Sequence, residues 1–268
     1  MKQTARMALR PHDHLEDARP RSCLVLDANQ IARLALDGPA LQITLHQQSH
    51  RLFPLRRIAR IHVIGPLDTG FATLLHCAEQ QIPVAFFNTK GALRCQLYYP
   101  VHENGVLAHW LEHIEFDEQA AVLYQDWLQL QHTHLLARMG CRQGAHNTRT
   151  DLVEQHITRI LKTVWSKAQI NDAQDWLDGL LTSHLSQLIA QEGLAHQSRG
   201  TRRLLEDLLP SCKTWLLYCL TQHIIEQKKA PRLDAHGMSQ FYQHISDSVE
   251  YLIRRMLVQL VTRLESII

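Results

Sequence analysis

The spacing of apolar residues along the chain changes once, near Pro100. Before that point the apolar runs are short. SCLVLD (22–27), IARLAL (31–36), LQITLH (41–46), HRLFPL (50–55) and RIHVIG (60–65) are rich in Val, Ile and Leu. Polar or Gly-Pro turns such as Asp37-Gly38-Pro39 separate them, so they predict strands. GFATLLHCAEQQ (70–81) has helical spacing and predicts one face formed by Phe71, Leu74, Leu75 and Ala78. IPVAFFN reads as a buried strand, Thr89-Lys90-Gly91 as a tight turn and ALRCQLYY as the return strand.

After Pro100, apolar residues recur every three or four positions. VLAHWLEHIEFDEQAAVLYQDWLQLQHTHLLARMG (106–140) predicts a long helix capped at Gly140. The polar stretch CRQGAHNTRT separates it from a second helix, DLVEQHITRILKTVWSKA (151–168). A third, DAQDWLDGLLTSHLSQLIAQ (172–191), stops near Gly193. A fourth starts around Thr201 and runs through RRLLEDLLPSCKTWLLYCLTQHIIEQ, interrupted by Pro210, ahead of a solvated loop at Lys228-Lys229. The last is a long amphipathic helix from Met238. The expected fold class is α+β. Residues 1–21 read as a flexible leader, 22–100 as a small N-terminal β-rich domain (β-sandwich-like, with one helix), and 101–268 as a larger all-α domain.

Composition narrows this little. The apolar share of 45% and charged share of 20% are ordinary for a soluble globular protein. No run approaches the roughly 20 apolar residues that span a bilayer. The N-terminus lacks the apolar segment of a secretory signal, so no membrane partner and a cytoplasmic location are expected. Six cysteines without a CxxC pair argue against a disulfide framework or a zinc knuckle. A net charge of +2 decides nothing about nucleic acid, where a local stripe counts more than the total. The 18 histidines weaken the information carried by any single one.

Several segments, in order, carry a resemblance. They are FPLRRIARIHVIGPLDTGFATLLHCAEQQIPVAFFNTKGALRCQLYYP, EFDEQAAVLYQDWLQLQHTHLLARM, DWLDGLLTSHLSQL and GLAHQSRGTRRLLEDLLP. Over roughly Ser22 to Trp215 the chain resembles the CRISPR-associated integrase-nucleases that insert new spacers during adaptation. The resemblance implies a metal-dependent DNA endonuclease and integrase of antiviral defence, binding double-stranded DNA and working with Mg²⁺ or Mn²⁺. It also implies a homodimer, paired through the N-terminal domain, that assembles with the small second CRISPR-associated adaptation protein. By position, Glu154 in LVEQHITRIL matches the family's glutamate, while His196 and Asp207 match its histidine and first aspartate. The last carboxylate of the pattern, three residues after that aspartate, is replaced by Pro210, and the chain is shortened between Glu154 and His196.

The chemistry is compatible with a reduced ligand set. Joining a DNA end to a duplex is in-line attack of a 3′-hydroxyl on a phosphate, with charge building on the non-bridging oxygens. Mg²⁺ takes one or two carboxylates plus water and phosphate oxygens, and imidazole leans the choice towards Mn²⁺. On one continuous helix, His196 and Asp207 would lie about 16 Å apart, at roughly 1.5 Å per residue. The chain must therefore turn between them, and Ser198-Arg199-Gly200-Thr201 offers a turn and an N-cap. Arg138, Arg142 and Arg149 cluster before the Glu154 helix, and Arg199, Arg202 and Arg203 flank Asp207; both groups suit phosphates.

Plainer readings stand beside these. Glu154 can be a solvated helix residue, and His196 a surface or capping residue. Asp207 can answer Arg203 at i−4. Asp175 and Asp178 read as dipole-complementing acids at the start of the third helix. His132, His134 and His146 fit no standard zinc spacing. As a whole, the alternatives are a catalytically degenerate paralogue that binds DNA or scaffolds a complex, and a generic helical protein that oligomerises.

Overall fold

The computed structural model describes residues 21–46, 49–99, 106–114, 116–140, 150–192 and 199–265. Seven strands come first: β1 (Ser22–Asp27), β2 (Ile31–Asp37), β3 (Ala40–Leu45), β4 (His50–Pro54), β5 (Ile58–Ile64), β6 (Val84–Phe87) and β7 (Leu93–Leu97). Helix α1 (Phe71–Glu79) crosses between β5 and β6. The helices α2 (Val106–His113), α3 (Glu118–Arg138), α4 (Thr150–Val164), α5 (Lys167–Gln191), α6 (Arg199–Gln227) and α7 (Ala235–Glu265) follow. The α+β reading, β-rich first and helical second, is what the chain forms.

The strands divide into a four-stranded sheet, β1-β5-β6-β7, and a three-stranded antiparallel sheet, β2-β3-β4. β5 is parallel to β1 and β6, and β7 turns back antiparallel to β6. Strand alternation assigns the two faces of the first sheet. Ile61, Val63 and Val84 belong to the core shared with β2–β4. Ile64, Ala85 and Phe87 belong to the helical core. Arg60 and His62 share the face of Ile64, and this points them at the helices. α5 is the helix the others wrap: its buried residues run from Ala173 to Ile189, and it packs on α4, α6, α7 and β7.

Several readings change in the structure. The expected helix over 106–140 is two helices, because Asp117 accepts from the backbone N–H groups of Gln119 and Ala120 and starts α3 afresh. The third helix begins at Lys167, not Asp172, since Ser166 and Gln169 form a reciprocal capping box. Asp175 and Asp178 therefore lie inside α5 rather than at its start, and Asp178 accepts from Lys213 of α6. On α1, Leu74, Cys77 and Ala78 are buried whereas Phe71 and Leu75 are exposed, with Phe71 stacked on Phe86. The Lys228-Lys229 loop follows α6 as read, with Lys228 in the left-handed region.

Pro210 does not interrupt α6, which runs through it. The ring removes the amide that would reach Glu206, and the residue is exposed, so it contributes no core packing to offset that loss. Pro210→Ala is expected to raise stability by about 2 kcal/mol. A urea midpoint that falls in the variant would reject this account of the helix.

Candidate metal and DNA site

Two of the three sequence-selected ligands are described, Glu154 on α4 and Asp207 on α6. Glu154 lies on the first turns of α4, beside a stripe of buried Val153, Ile157 and Leu161 that packs α4 against α6. Its side chain is exposed. Asp207 lies on α6, between buried Leu204 and Leu208, with its carboxylate 30% exposed. His196 falls outside the described residues, as do Arg142, Arg149 and His146. Among the described residues, no three potential ligand side chains converge.

Asp207 is the ordered centre of what is described. The hydroxyl of Tyr124, from α3, donates to Asp207 Oδ2 at 2.8 Å. Arg203 Nε approaches the same oxygen at 3.8 Å, which makes good the i−4 partner read from the sequence. The Arg203 guanidinium also sits 5.5 Å from the centre of the Tyr124 ring, a cation–π contact. Burial, followed by the hydrogen bond to Asp207, raises the Tyr124 phenol above its usual range, so it stays protonated and remains a donor. Asp207 Oδ1 has no protein partner among the described residues. Among the described residues, one carboxylate oxygen is thus held and the other is free.

This donor set suits a hard divalent cation. Mg²⁺ needs only one or two carboxylates with water completing its shell, and a partly exposed carboxylate with a free oxygen meets that need. Glu206 is exposed on a different side of α6 from Leu204 and Leu208. Pro210 is likewise exposed, one turn beyond Asp207.

The described arginines of the two groups lie at two helix ends. Arg199, Arg202 and Arg203 occupy the first turns of α6, at the positive end of its dipole. Arg199 and Arg202 are exposed. Arg138, also exposed, ends α3. His132 is engaged with Ser211 Oγ at 3.0 Å and is not part of a metal cluster with His134.

A second polar cluster, not anticipated from the sequence, joins the sheet to the helices. Arg60 Nη2 of β5 donates to His184 Nε2 of α5 at 2.9 Å, and His184 Nδ1 meets the Tyr242 hydroxyl of α7 at 3.0 Å. A guanidinium only donates, so His184 Nε2 must accept and its proton sits on Nδ1. Glu250 lies farther from Nε2, at 3.5 Å, and balances Arg60 at 3.7 Å. The alternation of Arg60 and His62 in β5 was the available signal; the residues they meet are too distant in sequence to be read. Arg60 and His184 are separated by 124 positions.

No curated protein sequence matches the chain. The family described as CRISPR associated protein Cas1 matches over residues 26–198, more than half of the chain, while Asp207 lies beyond that match. Among solved structures, a Cas1 protein from Thermotoga maritima superposes with a TM-score of 0.68 at 14% identity, over 90% of this chain and 96% of that one. A casposase bound to an integration product gives 0.64 at 15% identity, over 91% of each chain. TtCas1 gives 0.59 at 12% identity, over 90% of this chain and 98% of that one. At these identities the superpositions speak to the fold, and the family match over strands, α1 and the first helices carries the assignment. The chain belongs to the Cas1 family, the integrases of CRISPR adaptation.

Proposed function

We propose that this chain cuts and joins DNA at a centre formed by Glu154, His196 and Asp207 with Mg²⁺ or Mn²⁺. The observation that carries this reading is the Asp207 carboxylate, held on one oxygen by Tyr124 and without a partner on the other among the described residues. A bound divalent ion would polarise the attacked phosphate and lower the pKa of the attacking 3′-hydroxyl. Asp207 and Glu154 supply the anionic oxygens that such an ion needs, from two helices that pack on each other. Arg199, Arg202 and Arg203 hold phosphates of double-stranded DNA beside them, and Arg138, Arg142 and Arg149 extend that hold in a salt-sensitive, sequence-independent way. The protein works as a homodimer paired through its β-rich domain, together with the small second CRISPR-associated adaptation protein, in the cytoplasm.

Pro210 supports a second reading. It stands where the family pattern has a further carboxylate, so the charge available to an ion is reduced. On that reading the chain keeps the fold and the DNA contacts and has lost the chemistry.

Strand transfer of a labelled short duplex with a 3′-hydroxyl into supercoiled plasmid separates the two. The assay contains Mg²⁺ or Mn²⁺ and the small partner protein, and compares wild type with His196→Ala. Metal-dependent joined products that disappear in the variant are the expected result. Salt-dependent duplex binding without joining would establish the second reading. Neither joining nor binding would reject a DNA role.

A further inference from the structure

We propose that Tyr124 is the positioning residue for the metal centre, fixing the Asp207 carboxylate in the orientation that leaves one oxygen for a divalent cation. The proposal rests on Asp207 being a ligand, as proposed above, and goes beyond it by naming the side chain that makes it one.

Three observations carry it. First, the contact is long-range: Tyr124 and Asp207 are 83 positions apart and belong to different helices, so α3 has to dock on α6 to create it. Second, both described contacts to the carboxylate fall on Oδ2, from the Tyr124 hydroxyl at 2.8 Å and from Arg203 Nε at 3.8 Å. Third, the tyrosine itself is fixed. It is fully buried, its ring is packed on Trp127 with centroids 5.6 Å apart, and the Arg203 guanidinium sits over it at 5.5 Å.

The choice of donor matters. A phenol is neutral, so it restrains the carboxylate without cancelling the charge an ion requires. A lysine in the same place would compete with the cation. Arg203 is positive, but its nitrogen lies beyond hydrogen-bond distance from Oδ2, and its second contact is the aromatic face. The hydroxyl is therefore the stronger of the two restraints on the Asp207 rotamer. Partners of this kind, behind a ligand, change metal affinity by about 10–100-fold when removed.

Mn²⁺ binding is measured from the loss of the free-ion electron paramagnetic resonance signal, on the full chain without DNA. Wild type, Tyr124→Phe and Asp207→Ala are compared, with thermal melting of each without metal. Phenylalanine keeps the ring, so the Trp127 and Arg203 contacts persist. The expected result is a Mn²⁺ half-saturation about 10-fold higher in Tyr124→Phe than in wild type, with Asp207→Ala weaker still. Strand transfer by Tyr124→Phe should recover as Mn²⁺ is raised over the same range. Equal Mn²⁺ affinity in Tyr124→Phe and wild type, beside a weaker Asp207→Ala, would overturn the positioning role and leave the ligand assignment standing. That outcome together with a lowered melting temperature in Tyr124→Phe would make the tyrosine a packing residue only. Identical binding by wild type and Asp207→Ala would instead remove Asp207 from the ligand set, and the proposal with it.

Discussion

Gly179→Ala is expected to destabilise the protein by about 3 kcal/mol or more, among the largest losses any single methyl group could cause here. A Cβ at Gly179 would stand 2.1 Å from the backbone carbonyl oxygen of Gly91, in the hairpin between β6 and β7. That oxygen cannot swing aside as the end of a flexible side chain would. The hairpin tip is closed by Asn88, whose Oδ1 accepts from the backbone of both Lys90 and Ala92 at 2.9 Å. Gly91 is itself in the left-handed region at φ +89°, and its own Cβ would run into the Trp176 ring at 2.3 Å. The two glycines let the central helix lie directly on the sheet, and adding a carbon at either one separates α5 from β7. A gain of roughly 1 kcal/mol in helix propensity from alanine does not offset this. Gly38→Ala is the control: it has a positive φ of 54° with nothing within 4 Å, so it isolates the cost of the backbone conformation. Urea unfolding of the three proteins checks the difference. Equal midpoints for the Gly179 and Gly38 variants would show that the close approach of α5 to the hairpin does not limit stability.

The same contact marks where the sequence stops being legible. Each strand of the sandwich is visible as a short run of β-branched and Leu residues between turns, because a strand needs only a local period and a local stop. Gly91 was readable as a turn residue, but not as the seat of Trp176, since that depends on where α5 falls. Helix boundaries were lost for a related reason. The apolar period runs without a phase break from Leu107 to Leu136, so the cap at Asp117 was hidden inside an uninterrupted pattern. The Ser166–Gln169 capping box was a sequence-level helix-start signal that the 3.6-residue period outweighed.

The candidate site divides in the same way. Arg203 and Asp207 are one helical turn apart, and their pairing follows from spacing alone. Tyr124 was visible only as one more apolar member of the α3 stripe. A buried tyrosine demands a partner for its hydroxyl, but nothing local says that the partner is on α6. Glu154 and Asp207 were selected by family pattern, and the helix packing that brings their elements together has no signature in either segment. Arg60 and His62 show the limit most clearly. Alternation puts them on one face of β5, and two polar residues on one face normally predict a solvated sheet. Here that face is covered by α5 and α7, so a polar face becomes a buried polar network.

That network makes the protein acid-labile, with stability expected to fall by about 4 kcal/mol between pH 7.5 and pH 5. Burial, then the Arg60 charge and the neighbouring His184, lower His62 from 6.5 to about 3. Burial lowers His184 to about 4, opposed by Glu250 and reinforced by Arg60. Both imidazoles are neutral in the fold, and His184 has to be, because its Nε2 lone pair accepts from Arg60. A proton there would set two cations against each other. In the unfolded chain the same residues return to a value near 6.5. Above about pH 6.5 neither state is protonated, and the full stability is present. As pH falls from 6.5 towards 4, the unfolded chain takes up two protons that the fold does not, and each costs about 1.4 kcal/mol per pH unit. Most carboxylates titrate below pH 5, so this window isolates the imidazoles. Urea midpoints at pH 7.5, 6 and 5 test the argument, with His184→Gln expected to show about half the wild-type decline. A wild-type midpoint that stays level down to pH 5 would mean that the junction opens enough to let both histidines charge, and that the contact between Arg60 and His184 does not hold the sheet to the helices.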